Sequence, residues 1–400
     1  MKTRQNSLFS FSKISFFGLW VYILFFSLFF DIKLPVVQKL FFLAVVILTF
    51  FSLFTVRYKI KRDSFFIIVF FFIVFGFHLV STYFSPGTTF YQQRYIAAIL
   101  TTLLLIYLSV RFREKDFVHL DKLLLIVAVI SILHNVIILL VIGKIKLLFT
   151  GPSDSLEAYA VNTIHTFWGG GKNIYASKIF LTFIGVYAIT KERGDTIATY
   201  ILVLTGIAIY TTLSRTSFLA FLIFVFICYF KKRFILGYIV FSMSVGAYII
   251  PKFFHFSMDA NVDGGASRLI LWSGTLLHLS DIPFFGYGLG NATIFITTKI
   301  GPRLESNVHN MILNTYIERG IFMWVDLIWV FGCIYLIGVK YQLQKSVKLA
   351  LISSFLVVVF LQYLGYDNDL VCLFSLLLVW YLQKRRKQKY QQALNMAMSG

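Results

Sequence analysis

Apolar runs long enough to cross a lipid bilayer recur along the chain, and they constrain its fold more than any other feature. Hydrophobic residues make up 58% of the sequence and charged residues only 14%, whereas soluble domains are about half apolar and a quarter charged. A helix crosses the hydrocarbon core with about 20 apolar residues. The sequence therefore predicts an all-α polytopic membrane protein and excludes a soluble globular domain.

About twelve such spans can be placed along the chain. Their approximate bounds are 14–30, 34–56, 64–82, 95–110, 118–142, 174–190, 196–213, 216–230, 234–250, 320–339, 349–364 and 371–383. The sequence shows no internal repeat and no soluble domain between them. We therefore interpret residues 1–400 as a single integral membrane domain.

The distribution of charge orients these spans. The net charge of +20 raises the hypothesis of a nucleic-acid partner, but the basic residues lie in short clusters between apolar runs, as expected for loops on the cytoplasmic side of a membrane. The clusters lie at 57–62, 111–115, 191–193, 231–233, 340–348 and 384–389. Both termini are therefore predicted to be cytoplasmic, and residues 384–400 form a basic tail that faces lipid head groups.

The longest polar stretch, residues 251–319, falls between the ninth and tenth spans and is predicted to be an extracytoplasmic loop. The other outer loops are 81–94, 143–173 and 365–370. Lipid gives polar groups no partners, so a membrane protein places long polar loops and ionisable groups where its function requires them. We therefore expect the active site at this loop.

Parts of this loop are predicted to be ordered. Residues 267–280 mix apolar and polar positions without proline, which predicts an amphipathic helix against the membrane face. Gly286, Gly288 and Gly290 then break regular structure and allow the backbone to approach another group closely. A second helix is predicted to begin near Asn307 and to carry His309 and Asn310 at its start.

Two arginines are candidate anion ligands. Arg215 lies in the run LSRTS between two apolar spans, where a guanidinium and backbone amides can meet an anion; the alternative is a side chain that snorkels to the interface. Arg268 stands four positions before Trp272, so both share a helix face and can support a sugar or phosphate. The alternative for Arg268 is a solvated surface residue.

His309 is the candidate general base. A neutral imidazole near pH 7 can take a proton from an attacking hydroxyl, and the neighbouring Asn310 and the later Glu318 can orient it or cap its helix. The alternative is a structural histidine. Lys172 and Asn173, at the outer start of the sixth span, are candidate additions to the same site, with snorkelling as the alternative for the lysine.

No metal or cofactor site is predicted. His255, His278 and His309 lack the spacing of metal ligands, and the nearby carboxylates are scattered. The glycine run at 286–290 has no preceding strand and no following Lys-Ser or Lys-Thr, so it does not indicate a nucleotide-binding loop.

The order of these motifs resembles the O-antigen polymerase and O-antigen ligase superfamily of bacterial cell envelopes. The resemblance covers roughly residues 213–320: SRTS beginning a span, Arg268 with Trp272, the run DIPFFGYGLG at 281–290, His309-Asn310, and Glu318 with Gly320. Each motif alone is degenerate, whereas their order and spacing together are fairly specific.

The resemblance implies a metal-independent glycosyltransferase of the bacterial inner membrane that works on its outer face. Its donor would be a glycan linked through a diphosphate to undecaprenol, and its acceptor a hydroxyl on a second glycolipid. In that reading Arg215 and Arg268 stabilise the diphosphate leaving group, with Lys172 assisting, and His309 activates the acceptor. A chain-length regulator is a further candidate partner, alongside membrane lipid.

Three functions stay open at this point. A polymerase of O-antigen or capsular repeat units is favoured slightly by the glycine run and by the absence of paired histidines before Asn310. An O-antigen ligase would transfer the glycan to lipid A–core with the same parts. A lipid-linked oligosaccharide flippase is the third, for which Asp326 inside a span is the best argument, although a transporter would favour a two-fold repeat.

Overall fold

All secondary structure in the described part of the chain is helical. The computed structural model describes residues 69, 73, 76, 77, 80, 83–85, 120–150, 172–192, 197–229, 264–288, 290–301, 307–324, 327, 328, 345–361 and 395–398. No strand occurs among these residues. The all-α prediction is confirmed for this part of the chain, while the number of spans stays a prediction.

The residues that the structure describes include nine α-helices. They are α1 Leu120–Val141, α2 Leu147–Thr150, α3 Lys172–Glu192, α4 Ile197–Thr211, α5 Arg215–Tyr229, α6 Gly264–Leu277, α7 Ala292–Phe295, α8 Met311–Arg319 and α9 Lys345–Leu361. Two 3-10 helices, Leu279–Asp281 and Gly320–Phe322, and a π-helix, Ile296–Ile300, lie in or next to the long loop.

One described helix is long and apolar enough to cross a membrane, namely α1 over Asp121–Val141. The apolar helices α4, α5 and α9 have 15, 15 and 17 residues. The predicted spans at 14–30, 34–56, 95–110, 234–250 and 371–383 lie outside the described residues, and those at 64–82 and 320–339 are described at a few positions only. Of the predicted tail at 384–400, residues 395–398 are described, and they form an exposed helical turn.

Helix α3 is the central helix of the bundle. It contacts α1, α4, α5 and α9, and every side chain from Tyr175 to Tyr187 is buried. Phe183 packs against Phe221 and Phe224 of α5, with ring centroids 5.4 and 5.3 Å apart. Inside a membrane such van der Waals packing, rather than burial from water, holds helices together.

The contacts fix the directions of three helices. Helices α3 and α5 run parallel, because equivalent positions meet along their length. These pairs are Asn173 with Ser214, Ser177 with Ser217, Phe183 with Phe224, and Tyr187 with Tyr229. Helix α9 runs antiparallel to α5, since Val347 near its start packs against Cys228 at the end of α5. The starts of α3 and α5 and the end of α9 therefore share one end of the bundle.

The ends of α1 and α4 reach this same end. Asn135 Nδ2 donates to Thr211 Oγ1 at 3.1 Å, and the Tyr210 hydroxyl donates to the carbonyl of Leu148. Leu139, Leu147, Leu148 and Leu213 form a small buried cluster there. We call this end, with residues 135–150, 172–177, 210–217 and 360, the polar end of the bundle.

The long loop has a core of its own. Leu271 of α6 packs with Ile282, Ala292, Phe295, Ile296, Val308 and Ile317. On its other sides α6 exposes Leu269, Ile270, Leu276 and Leu277. The helix predicted at 267–280 is therefore present, ending at Leu277 where a 3-10 turn follows, and its contact with the membrane stays a prediction.

The second loop helix begins later than predicted. Helix α8 starts at Met311, and Asn310 rather than Asn307 is its N-cap, with its Oδ1 accepting from the backbone N–H of Leu313 at 3.1 Å. His309 has φ +52, which a right-handed helix excludes. The predicted helix start is therefore confirmed for Asn310 and wrong for His309, which lies in the turn before the cap.

Candidate functional site

Two cationic side chains meet at the polar end, each at the start of a helix. Lys172 is the first residue of α3 and Arg215 the first of α5, and the two interact electrostatically. Neither segment 172–177 nor 210–217 contains an acidic residue. Because helix N-termini also carry positive partial charge, the structure concentrates positive potential here.

Burial makes this charge costly in the absence of an anion. Lys172 is 7% exposed and precedes the predicted span at 174–190. Desolvation, and then repulsion from Arg215, lower the pKa of its ammonium to about 8. A bound anion would offset both effects, so the charged form of Lys172 and an anionic ligand favour each other.

Amide and hydroxyl groups lie at the same two helix starts as the cations. Ser214 Oγ donates to Asn173 Oδ1 at 2.9 Å, and the hydroxyls of Ser177 and Ser217 are 3.1 Å apart. The side-chain oxygen of Asn173 thus accepts from Ser214, and the NH2 group of the same amide points away from Ser214 as a donor. The arrangement can supply hydrogen bonds as well as charge to phosphate oxygens.

A backbone irregularity positions Arg215. Leu213 has φ +57, and the Ser214 N–H donates to Thr212 Oγ1 at 3.2 Å. A left-handed conformation costs a non-glycine residue about 1–2 kcal/mol. This tight reversal between α4 and α5 leaves no loop in which Arg215 could move away from the start of its helix.

His309 shares this left-handed conformation. Leu213 and His309 are the two residues other than glycine with positive φ in the described part of the chain. The His309 N–H donates to Asn307 Oδ1 at 3.0 Å, and its side chain is half-buried. Such outliers persist where the surroundings over-determine them, and they cluster at functional sites.

Hydrogen bonds to three helices, α6, α8 and α9, hold the residues around His309. Trp272 Nε1 of α6 donates to the Val308 carbonyl at 2.8 Å, and Asn314 Oδ1 of α8 accepts from the Val308 N–H at 3.1 Å. Asn310 Nδ2 donates to the Phe360 carbonyl of α9 at 3.2 Å. The imidazole is therefore placed by a turn whose backbone is fixed on both sides.

The glycine run closes the other end of α8. The N–H groups of Tyr287 and Gly288 donate to the carbonyls of Ile317 and Glu318 at 2.8 and 2.9 Å. A Cβ at Gly286 would overlap the Glu318–Arg319 peptide, and one at Gly320 would overlap the Phe284 carbonyl. The predicted close approach is confirmed for Gly286, which meets the loop's own helix α8, and for Gly288, where a Cβ would meet the Ser85 side chain instead.

The predicted residues fall into two groups. Lys172, Asn173 and Arg215 converge at the polar end. Trp272, His309, Asn310 and Glu318 lie in α8 or beside its start. Helix α9 connects the groups, because it packs on α5 and accepts the Asn310 hydrogen bond near its own end. Arg268 is half-buried one turn before Trp272 on α6.

Several contributing residues were missed by sequence reasoning. Asn314 is fully buried and donates to Glu318 Oε1 at 3.1 Å. The four-residue spacing of Asn310, Asn314 and Glu318 is a signal that could have revealed it. Arg319 is 1% exposed at the end of α8, and no spacing singled it out.

No group of three or more His, Cys, Asp or Glu side chains suited to a metal ion occurs among the residues that the structure describes. Metal independence itself stays a prediction.

Residues 200–328 match the family model of the O-antigen ligase domain (Wzy_C). The match includes Arg215, Arg268 and His309, while Lys172 and Asn173 precede it. No curated protein matches the chain. The family supports a bacterial membrane protein and glycosyl transfer of the O-antigen ligase or polymerase type. The predicted relationship to the O-antigen polymerase and ligase superfamily is thereby confirmed.

Proposed function

We propose that the protein transfers an undecaprenyl-diphosphate-linked glycan to an acceptor hydroxyl, as a polymerase of O-antigen or capsular repeat units. The observation that carries this proposal is the pair of cations at the starts of α3 and α5, at the bundle end to which Asn310 ties the His309 turn. Positive charge for a leaving group and a base for an acceptor thus occur at one end of the molecule.

The donor half of the reaction is assigned to the polar end. When the bond between the anomeric carbon and the diphosphate oxygen breaks, the electron pair stays with the diphosphate. Arg215 and the protonated Lys172 stabilise the growing negative charge, and Asn173 donates a hydrogen bond to it. Preorganised charge of this kind is worth about 10²–10³-fold in rate for one contact.

The acceptor half is assigned to His309. Its imidazole takes the proton of the acceptor hydroxyl while that oxygen bonds to the anomeric carbon, a contribution of about 10²–10⁴-fold. Asn310 and Glu318 support the turn and the helix that carry the imidazole. The protonated imidazole returns its proton to solvent after the new glycosidic bond has formed.

Arg268 is proposed as a second guanidinium for the diphosphate. Its helix is anchored next to the base, since Trp272 one turn later donates to the Val308 carbonyl. The half-buried position of Arg268 suits a side chain that contacts a membrane-bound substrate.

The proposed setting is the outer face of the bacterial inner membrane, with both termini cytoplasmic and one integral membrane domain over residues 1–400. The shared end of α1, α3, α4, α5 and α9 supports this topology, because the predicted alternation requires these helix ends to lie on one side. Ser306→Cys should react with an impermeant thiol reagent from outside, and Lys232→Cys should not; the reverse pattern would contradict the topology.

An O-antigen ligase is the second candidate, and the description of the matched family favours it. Deletion of the gene followed by glycolipid electrophoresis separates the two. Core carrying one repeat unit indicates loss of a polymerase, whereas lipid-linked polymer with bare core indicates loss of a ligase. Unchanged glycolipids would contradict both.

Purified protein is expected to transfer glycan in the presence of a chelator, since the proposed leaving-group ligands are side-chain cations. Activity lost with chelator and restored by a divalent ion would contradict the metal-independent mechanism.

A further inference from the structure

We propose that Asn314 is a positioning residue for the glycosyl transfer, acting through the backbone beside His309. This inference rests on the proposed function, because it assigns Asn314 a role in placing the proposed base. It adds a residue that the sequence motifs do not indicate, together with a direction for each of its hydrogen bonds.

The amide of Asn314 uses both of its ends. Its Oδ1 accepts from the Val308 N–H at 3.1 Å, and its Nδ2 donates to Glu318 Oε1 at 3.1 Å. Asn314 is fully buried, and Glu318 is 1% exposed. A backbone N–H can only donate, so Val308 fixes the Oδ1 end of the amide and leaves the NH2 end to donate to Glu318 Oε1.

The hydrogen bond from Val308 to Asn314 acts on the residue that directly precedes the proposed base. Val308 is held at its N–H by Asn314 and at its carbonyl by Trp272. The following residue, His309, has φ +52 and donates its own N–H to Asn307. Without the Asn314 contact the turn can relax towards an ordinary conformation, which moves the imidazole. Misplacement of a reacting group by about 1 Å can cost about 10²-fold in rate.

A merely structural role for Asn314 would give a different result. Loss of a buried hydrogen bond would then lower the amount of folded protein, and the remaining protein would work normally. A positioning role lowers kcat in protein that is present in the membrane at normal level. The distinction requires variants that alter hydrogen-bond direction while keeping shape.

Reversal of the hydrogen-bond direction provides such variants. In Asn314→Asp the new carboxylate can still accept from Val308, but it faces Glu318 with like charge. In the double variant Asn314→Asp with Glu318→Gln, the glutamine NH2 can donate to the new carboxylate. The single change Glu318→Gln keeps an acceptor oxygen for Asn314.

We expect Asn314→Asp to lower kcat by about 10²-fold, with KM for the lipid-linked donor changed less than about threefold. The deficit relative to wild type should shrink at lower pH, because the facing carboxylates then share a proton. The single variant Glu318→Gln is the reference for the double variant, which should recover to within about tenfold of that reference.

Thr315→Val is the matched control. Thr315 neighbours Asn314 on α8, is fully buried, and its hydroxyl makes no hydrogen bond within the described structure. This nearly isosteric change should leave kcat unaltered. All variants are compared as full-length protein in membranes, with their amount measured by immunoblotting.

The outcomes separate this inference from the proposed function. If His309→Ala retains wild-type polymer, the proposed base is wrong. If His309→Ala is inactive while Asn314→Asp matches wild type, or the double variant is no better than Asn314→Asp at normal protein level, the positioning role of Asn314 is overturned and the base assignment stands.

Discussion

The polar end of the bundle and the His309 turn hold their candidate catalytic side chains in place by different means. At the polar end, parallel packing of α3 and α5 places Lys172 and Arg215 at adjacent helix starts. Around His309, five side-chain hydrogen bonds fix the turn at 307–310. The first region therefore depends on charge held by a large packed surface, and the second on the geometry of a few polar contacts.

This difference predicts how each region should respond to substitutions. Removing charge from the polar end should weaken leaving-group stabilisation while the bundle stays intact, since many apolar contacts carry the packing. Removing one contact from the turn should displace the base, because few contacts share that task.

Arg215→Ala, Arg268→Ala and His309→Ala should give the largest effects. Each removes a group proposed to act on the reacting atoms, so we expect a loss of about 10²-fold or more in polymer formation. The measurement is the glycan ladder on gels, with membrane levels of protein as the control. A ladder of wild-type length in all three variants would remove the basis for both assignments.

Gly286→Ala tests whether the loop depends on close backbone contact. Gly286 has φ +71, and a Cβ there would overlap the end of α8. We expect a loss of at least about 2 kcal/mol in loop stability together with loss of activity. Gly143→Ala is the matched control, since Gly143 has φ +69 but nothing within 4 Å.

The control should show only the backbone cost of a left-handed residue, about 1–2 kcal/mol, and keep its activity. Native-state hydrogen exchange of residues 284–320 would report the change. Equal behaviour of the two variants would mean that left-handed backbone, and not contact with α8, decides the outcome.

A pH profile tests the polar end. The pKa of Lys172 is lowered to about 8 by burial and by Arg215, so its charge is present below that pH and is lost above it. We expect kcat/KM for the donor to fall about tenfold or more as pH rises through 8. Lys172→Arg should abolish this limb, because guanidinium keeps its proton. If kcat/KM fell in the same way in that variant, the pH dependence would belong to another group.

Asp281→Asn should give the smallest effect. Asp281 accepts from Lys299 Nζ at 2.9 Å and lies 3.1 Å from His278 Nδ1, all on the exposed surface of the loop. These partners lower the pKa of its carboxyl, but solvent screens exposed pairs strongly. Polymer formation should stay within about twofold of wild type. A large loss of polymer formation would show that contacts on the loop surface also determine the geometry of the His309 turn.

Sequence reasoning reached the helical fold and the close approach of the glycine run because both follow from local rules. It missed the start of α8, since Asn307 and Asn310 are equally suited to cap a helix and only the chain's path decides between them. The left-handed φ of His309 also has no sequence signature. Asn314 stands four residues from both Asn310 and Glu318, but that spacing alone does not reveal the Val308 N–H, which only the folded turn brings to its side chain.

The hydrogen bond from Asn310 to Phe360 has a mechanical consequence. The Phe360 carbonyl belongs to the last turn of α9, where carbonyls lack partners within the helix. If the loop swung outward at the start of α8, this carbonyl and the N-cap amide would be left exposed to lipid or to an apolar cleft, at about 1–3 kcal/mol. We therefore expect the His309 turn to keep its position during the reaction. Long-chain lipid substrates would then enter laterally from the bilayer.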